Sequence, residues 1–172
     1  KKIKNIQGSI VECGVLNGFG LMSFAHFSSI LEPVNFNRKI IGFDSFEGFP
    51  NVSKKDNKGG VFNAKKGSLK THSLNELENI SKLYDLNRSI GHINKIELVK
   101  GNAVKTIPDY LKKNQHLIVS LLYLDFDLYE PTKVALKNFI PRMPKGSIIA
   151  FDELNHPDWP GETTALIEEL GI

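Results

Sequence analysis

Short apolar runs bounded by turn residues recur along the chain, at Ser9–Cys13, Lys39–Phe43, Lys95–Val99, Ile118–Leu124 and Ser147–Phe151. Runs of this length, rich in Val, Ile and Leu, are the pattern of strands buried on both faces. Between them apolar residues recur at helical spacing over Phe19–Leu31, Leu74–Leu86, Ala103–Lys113, Thr132–Phe139 and Thr163–Leu170. Ser73, three residues before Glu76, has the form of a capping box, and Pro131 suits the first turn of the helix after it. Strands alternating with helices predict βαβ units, hence an α/β fold with a parallel sheet and helices on both faces. Residues 48–72 have no periodicity, and a loop of that length in a compact domain is read as a lid over a site.

Composition narrows the class. A chain of 172 residues, 41% hydrophobic and 24% charged, fits a single globular domain over 1–172 and excludes wholesale disorder. The longest uncharged apolar run, Leu117 to Leu124, is far below the ~20 residues of a spanning helix, so no membrane segment is expected. The first residues hold lysines but no apolar block with a cleavage site, so no secretory leader is expected. Cys13 is the lone cysteine, which removes a disulfide framework and makes a reducing cytoplasm the expected location. A net charge of +3 is too small to argue for nucleic acid. The charge is nevertheless segregated. Lys54, Lys55, Lys58, Lys65, Lys66 and Lys70 crowd the proposed lid, whereas no Lys or Arg follows Lys145 and six acids do.

Ligands of open α/β sheets bind beyond the carboxyl ends of the strands, so the residues there carry the chemistry. The first strand runs into Glu12, Gly14, Gly18 and Gly20, glycines where a strand turns tightly into a helix beside a ligand. Plain packing would also require glycines, and the spacing occurs in short-chain dehydrogenases. Glu12 favours a different cofactor: a carboxylate there repels a pyrophosphate but suits a ligand with a sulfonium and an ammonium. Asp44, ending the second strand, stands where ribose hydroxyls find an acceptor, a solvated turn acid being the alternative. The fourth and fifth strands end in Asp125 and in Asp152-Glu153. If those strands are neighbours, three carboxylates meet, and their repulsion calls for a divalent cation; oxygen-only ligands point to Mg²⁺. Helix capping explains Asp152 or Glu153 singly but not the set.

Four strings, Val11-Glu12-Cys13-Gly14-Val15, Phe43-Asp44-Ser45-Phe46-Glu47-Gly48-Phe49-Pro50, Leu124-Asp125-Phe126-Asp127-Leu128-Tyr129-Glu130-Pro131-Thr132 and Phe151-Asp152-Glu153, together resemble the macrocin O-methyltransferase family. The resemblance implies a Rossmann-like class I methyltransferase sheet, S-adenosylmethionine as methyl donor, a Mg²⁺-dependent site and a sugar or nucleotide-sugar-like acceptor, with no nucleic acid or membrane partner and a homo-oligomer left open. It implies metal ligation by Asp125, Asp152 and Glu153. It places Ser45 and Phe46 beside Asp44 at the cofactor, with Asn102 and Ala103 after the third strand on the adenine side. Asp125 also borders the cofactor and is the expected base. The family usually has Asp-Asp where this chain has Asp152-Glu153. It also usually extends further at both ends, so the domain is expected to be truncated at each.

His156, close after Glu153, is a second candidate base or acceptor contact. Trp159 would stack on a sugar or anchor its loop, and the lysines would steer a phosphorylated acceptor. His26 is expected to pack in or near the core. Two other readings stand beside the methyltransferase. The first is an NAD(P)-dependent short-chain dehydrogenase, to which Tyr129-x-x-x-Lys133 would belong, although Tyr129 is expected to precede its helix rather than lie in it. The second is a non-catalytic methyltransferase-like binding domain.

Overall fold

The computed structural model describes residues 2–57 and 64–171. Five parallel strands, β1 (Ser9–Cys13), β2 (Ile40–Asp44), β3 (Ile96–Lys100), β4 (Val119–Leu124) and β5 (Ile148–Phe151), lie in the order β3-β2-β1-β4-β5. The helices are α1 (Phe19–Leu31), α2 (Leu74–Leu86), α3 (Ala103–Lys113), α4 (Tyr129–Phe139) and α5 (Pro160–Leu170). Strand order reverses at β1, whose neighbours β2 and β4 lead to opposite edges. That switch point opens a crevice at the carboxyl ends.

Both faces of the sheet are covered, which is why its strands read as continuous apolar runs. Val11, Cys13, Ile41 and Phe43 pack on α3, α4 and α5 through Ile107, Leu136, Phe139 and Ala165. On the other face Ile10, Ile40 and Ile96 meet Leu21 and Ala25 of α1 and Leu77 and Tyr84 of α2. Side chains as fully enclosed as Phe43 and Phe139 each stabilise the fold by about 1.5–3 kcal/mol.

The strands begin within one residue of the apolar runs, but α4 and α5 each start three residues before the helical spacing does. Their first turns hold residues chosen for position rather than for an apolar stripe. Pro160 is at the first helical position of α5 and Pro131 in the first turn of α4, where an N–H has no intrahelical acceptor anyway. The capping box at α2 does not form. The Ser73 hydroxyl donates instead to the Leu16 carbonyl at 2.5 Å, tying the start of α2 to the turn after β1. His26 is exposed and meets the Tyr84 ring edge-on, outside the core.

At the opposite end of the sheet Arg38 is buried and fully engaged. Its guanidinium donates to Glu32, to the Ser120 hydroxyl and to the carbonyls of Ile3, Ile6 and Gly8. Among the described residues no helix is long and apolar enough to cross a membrane.

Of the expected lid, residues 58–63, with Lys58, Gly59 and Gly60, lie outside the described residues. The flanking parts rest on α4 and α5. Buried Asp56 accepts the N–H of Tyr129 at 2.6 Å, capping α4 from the loop, and Lys55 pairs with Glu168 of α5. Phe49, Ala64 and Leu128 form a small apolar cluster with Val52 and Trp159, whose ring meets Phe49 edge-on.

Candidate functional site

A cavity of about 240 Å³ opens at the switch point, walled by the turns after β1, β2, β3 and β4. Gly14, Asp44, Ser45, Asn102, Ala103 and Asp125 all line it. The sequence placed each of them at a ligand, and the fold brings them to one place.

Asp44 organises the first two walls. Its Oδ2 accepts the N–H of Val15 at 2.8 Å and of Leu16 at 2.9 Å, and its Oδ1 accepts Phe46 N–H at 2.7 Å. Leu16 and Phe46 both have left-handed backbones, so the carboxylate holds two turns in conformations that cost something to adopt. The Ser45 hydroxyl closes the second turn by donating to the Gly48 carbonyl at 2.6 Å. Asn102 begins α3, its side chain accepting Val104 N–H at 3.0 Å. Gly14 permits a close approach: with φ +98°, an added Cβ would lie 1.8 Å from the Asp125 carbonyl oxygen.

Gly18 and Phe46 do not line the cavity. At Gly18, φ is +81° and a Cβ would strike Leu77, so packing on α2 demands that glycine. The Phe46 side chain is buried with Leu21 and Leu77, and only its backbone serves the turn. Glu12 lies beneath the lining, beside Gly20, with Oε2 buried and without a hydrogen-bond partner among the described residues. Burial first, then the charges of Asp125 and Asp44, push its carboxyl up to about 9.

The acids gather where β4 and β5 end. Burial, then Asp152 and Glu153, raise Asp125 to about 6. Asp127, which the sequence reading passed over, also lines the cavity and is raised to about 7 by burial, Asp125, Glu153 and Asp152. Its signal was present in the Asp-x-Asp string, but its left-handed backbone, φ +60°, is what brings both acids of that string to one wall. Asp152 and Glu153 lie outside the lining. The Tyr123 hydroxyl donates to Asp152 Oδ1 at 2.6 Å, and His156 Nδ1 stands 3.8 Å from Glu153 Oε2. His156 is half-exposed and likewise outside the cavity. Among the described residues no three Asp, Glu, His or Cys side chains converge as they stand into a group that could hold a metal. Glu162, also unassigned from sequence, is fully buried behind these loops, its carboxyl raised to about 8 chiefly by burial.

Tyr129 and Lys133 lie inside α4, contrary to the expected start of that helix, because Pro131 is tolerated in its first turn. Lys133 Nζ donates to the Tyr129 hydroxyl at 2.8 Å and that hydroxyl to Glu168 at 2.6 Å. The pair is engaged by α5 and does not line the cavity.

The chain matches the model of the macrocin-O-methyltransferase (TylF) family over residues 2–162. Among solved structures it is similar to CalS11, a calicheamicin methyltransferase, at 38% identity and a TM-score of 0.94, covering 99% of this chain and 66% of that one. It is similar at 36% identity, TM-score 0.82 and the same coverage to an apo structure of CalS11 described as a TDP-rhamnose 3'-O-methyltransferase of calicheamicin biosynthesis. The O-methyltransferase NovP shares the fold at 23% identity and a TM-score of 0.74, covering 98% of this chain and 66% of NovP. The chain therefore spans 66% of the length of each of these structures. No curated protein sequence matches it.

Proposed function

The chain belongs to the macrocin-O-methyltransferase (TylF) family, and on that premise we propose that it transfers a methyl group from S-adenosylmethionine to a hydroxyl of a sugar or glycosylated small molecule. The observation that carries this reading is the cavity at the switch point, which joins Gly14, Asp44, Asn102 and Ala103 on the cofactor side to Asp125 on the acceptor side. When bound, the cofactor supplies a methyl group on a cationic sulfur.

The chain's own residues bind, orient and take up a proton. Three backbone amides occupy part of the Asp44 carboxylate, and a carboxylate offers about four acceptor positions, so one remains for a ribose hydroxyl. Phe49, Phe126 and Leu128 supply apolar wall that limits water. Asp125, raised to about 6, is ionised at neutral pH yet more basic than an ordinary aspartate, which suits it to take the acceptor's hydroxyl proton. His156 is proposed to meet the acceptor from the loop after Glu153.

A divalent cation, Mg²⁺, is part of the proposal. The donors are right in kind, since Asp125, Asp152 and Glu153 offer only carboxylate oxygens, and burial followed by the charges of Asp152 and Glu153 lifts Asp125. Held there, the ion would lower the pKa of an acceptor hydroxyl. The test is transfer of a labelled methyl from S-adenosylmethionine to a panel of nucleotide-linked deoxysugars, with chelator and with added Mg²⁺. Label in the sugar, lost with chelator, is expected. Full activity in chelator would remove the ion from the proposal, and cofactor binding with no label in any acceptor would favour a binding module.

A further inference from the structure

The deepest acid behind the site is one that neither the family strings nor the mechanism uses. Glu162 stands in the first turn of α5 and is fully buried. Its Oε1 accepts the backbone N–H of Phe126 at 3.0 Å and of Asp127 at 3.2 Å, and its Oε2 accepts that of Glu153 at 3.3 Å. Those three amides belong to two loops. One follows β4 and carries Asp125 and Asp127; the other follows β5 and carries Asp152 and Glu153. A single carboxylate thus bridges both.

The delivery of this side chain is built into the fold. At Gly161, just before it, an added Cβ would lie 2.6 Å from the Tyr129 amide nitrogen and 2.9 Å from the Asp127 carbonyl oxygen, so the start of α5 abuts the β4 loop directly. The loop needs holding, because Asp127 has a left-handed backbone that a non-glycine residue adopts only at a cost. Burying a carboxyl group is itself costly, and an apolar side chain of similar size would serve packing at least as well. What an apolar side chain cannot do is accept three amides from two separate loops.

We propose that Glu162 is a positioning residue for methyl transfer: its two carboxyl oxygens clamp the β4 and β5 loops together and so set Asp125 against the acceptor. The effect on turnover rests on the O-methyltransferase reading; the clamp itself does not.

Two variants and two readouts test it. Glu162→Gln keeps the shape but turns an amide group toward backbone donors, and Glu162→Asp keeps the carboxyl group but shortens the reach by one methylene. Hydrogen exchange at the Phe126, Asp127 and Glu153 amides reads the clamp directly, whether or not an acceptor is known. Faster exchange at these amides is expected in both variants. With a methylated acceptor in hand, kcat should fall on the order of 100-fold, the effect of a displacement near 1 Å at a reacting group. The KM for S-adenosylmethionine and the affinity for S-adenosylhomocysteine should stay within about threefold, since Glu162 touches none of Gly14, Asp44, Asn102 and Ala103. A merely structural role would lower the melting temperature and the active fraction but leave kcat per cofactor-binding molecule unchanged, and that result would overturn the proposal. So would unchanged exchange at the three amides. If Glu162→Gln fails to fold, Glu162→Asp carries the same comparison. If the wild-type chain methylates no acceptor, the functional reading falls, and the exchange measurement alone still upholds or overturns the clamp.

Discussion

Asp44 Oδ2 accepts the backbone N–H of Val15 at 2.8 Å, so the acid that ends β2 fixes the turn that follows β1. The same side chain holds Leu16 and Phe46, making it both a wall of the cavity and the fastener of two turns. Asp44→Ala is therefore expected to act twice. It should weaken S-adenosylhomocysteine at least tenfold by calorimetry, and lower folding stability by about 1–2 kcal/mol in urea titrations because three amides, two of them part-buried, lose their acceptor. Asp44→Asn should fall between variant and wild type on both scales.

Gly14 presses on the backbone of Asp125, not on a flexible side chain. Gly14→Ala should lower the urea midpoint by more than the ~1 kcal/mol that a left-handed alanine costs by itself, and should reduce turnover because the Asp125 loop must shift. Gly67→Ala separates the two effects. Gly67 has a similar φ of +82° but, among the described residues, nothing within 4 Å of an added Cβ, so it should show the conformational cost alone.

Glu12 gives the fold a pH signature. Its folded-state pKa of about 9 lies far above its ordinary value of 4.5, so the folded chain holds a proton that the unfolded chain releases. Stability from this group is complete below about 4.5 and is lost as pH rises toward about 9. Melting temperature should accordingly decline across that window in the wild type. Glu12→Gln, neutral throughout, should flatten the decline and raise stability at pH 7 by roughly 3 kcal/mol. A steeper decline in the variant would show that Glu12 is ionised in the folded chain.

Asp125 should govern rate more than cofactor affinity. Asp125→Ala is expected to cut kcat at least about 100-fold, the usual worth of a positioned base, with little change in S-adenosylhomocysteine binding. Full turnover by Asp125→Ala would remove it from the mechanism.

Sheet, strand ends and much of the cavity lining were legible because each is written locally. Runs such as Lys39–Phe43 are apolar throughout, and glycines and acids at their ends mark a ligand-facing rim. What escaped depends on contacts distant in sequence. Glu162 reads as one acid in an acidic tail until α5 is seen to bring it under the β4 loop, more than thirty residues away. Arg38 has no local signal of its burial, because the five groups that close around it come from Glu32, Ser120, Ile3, Ile6 and Gly8. Ser73 has the right spacing for a cap, yet Leu16, unrelated in sequence, takes its hydroxyl. The three acids expected to hold a cation end neighbouring strands as foreseen, but strand ends do not dictate rotamers, and Tyr123 turns Asp152 to itself.

Calorimetric titration of S-adenosylhomocysteine into the wild-type chain and into Asp44→Ala, with NAD as the competing ligand, tests the central claim without needing the acceptor. The account predicts saturable binding of S-adenosylhomocysteine to the wild type, at least tenfold weaker binding to Asp44→Ala, and no heat from NAD. Binding of NAD in place of S-adenosylhomocysteine, or equal affinity in the two proteins, would contradict it.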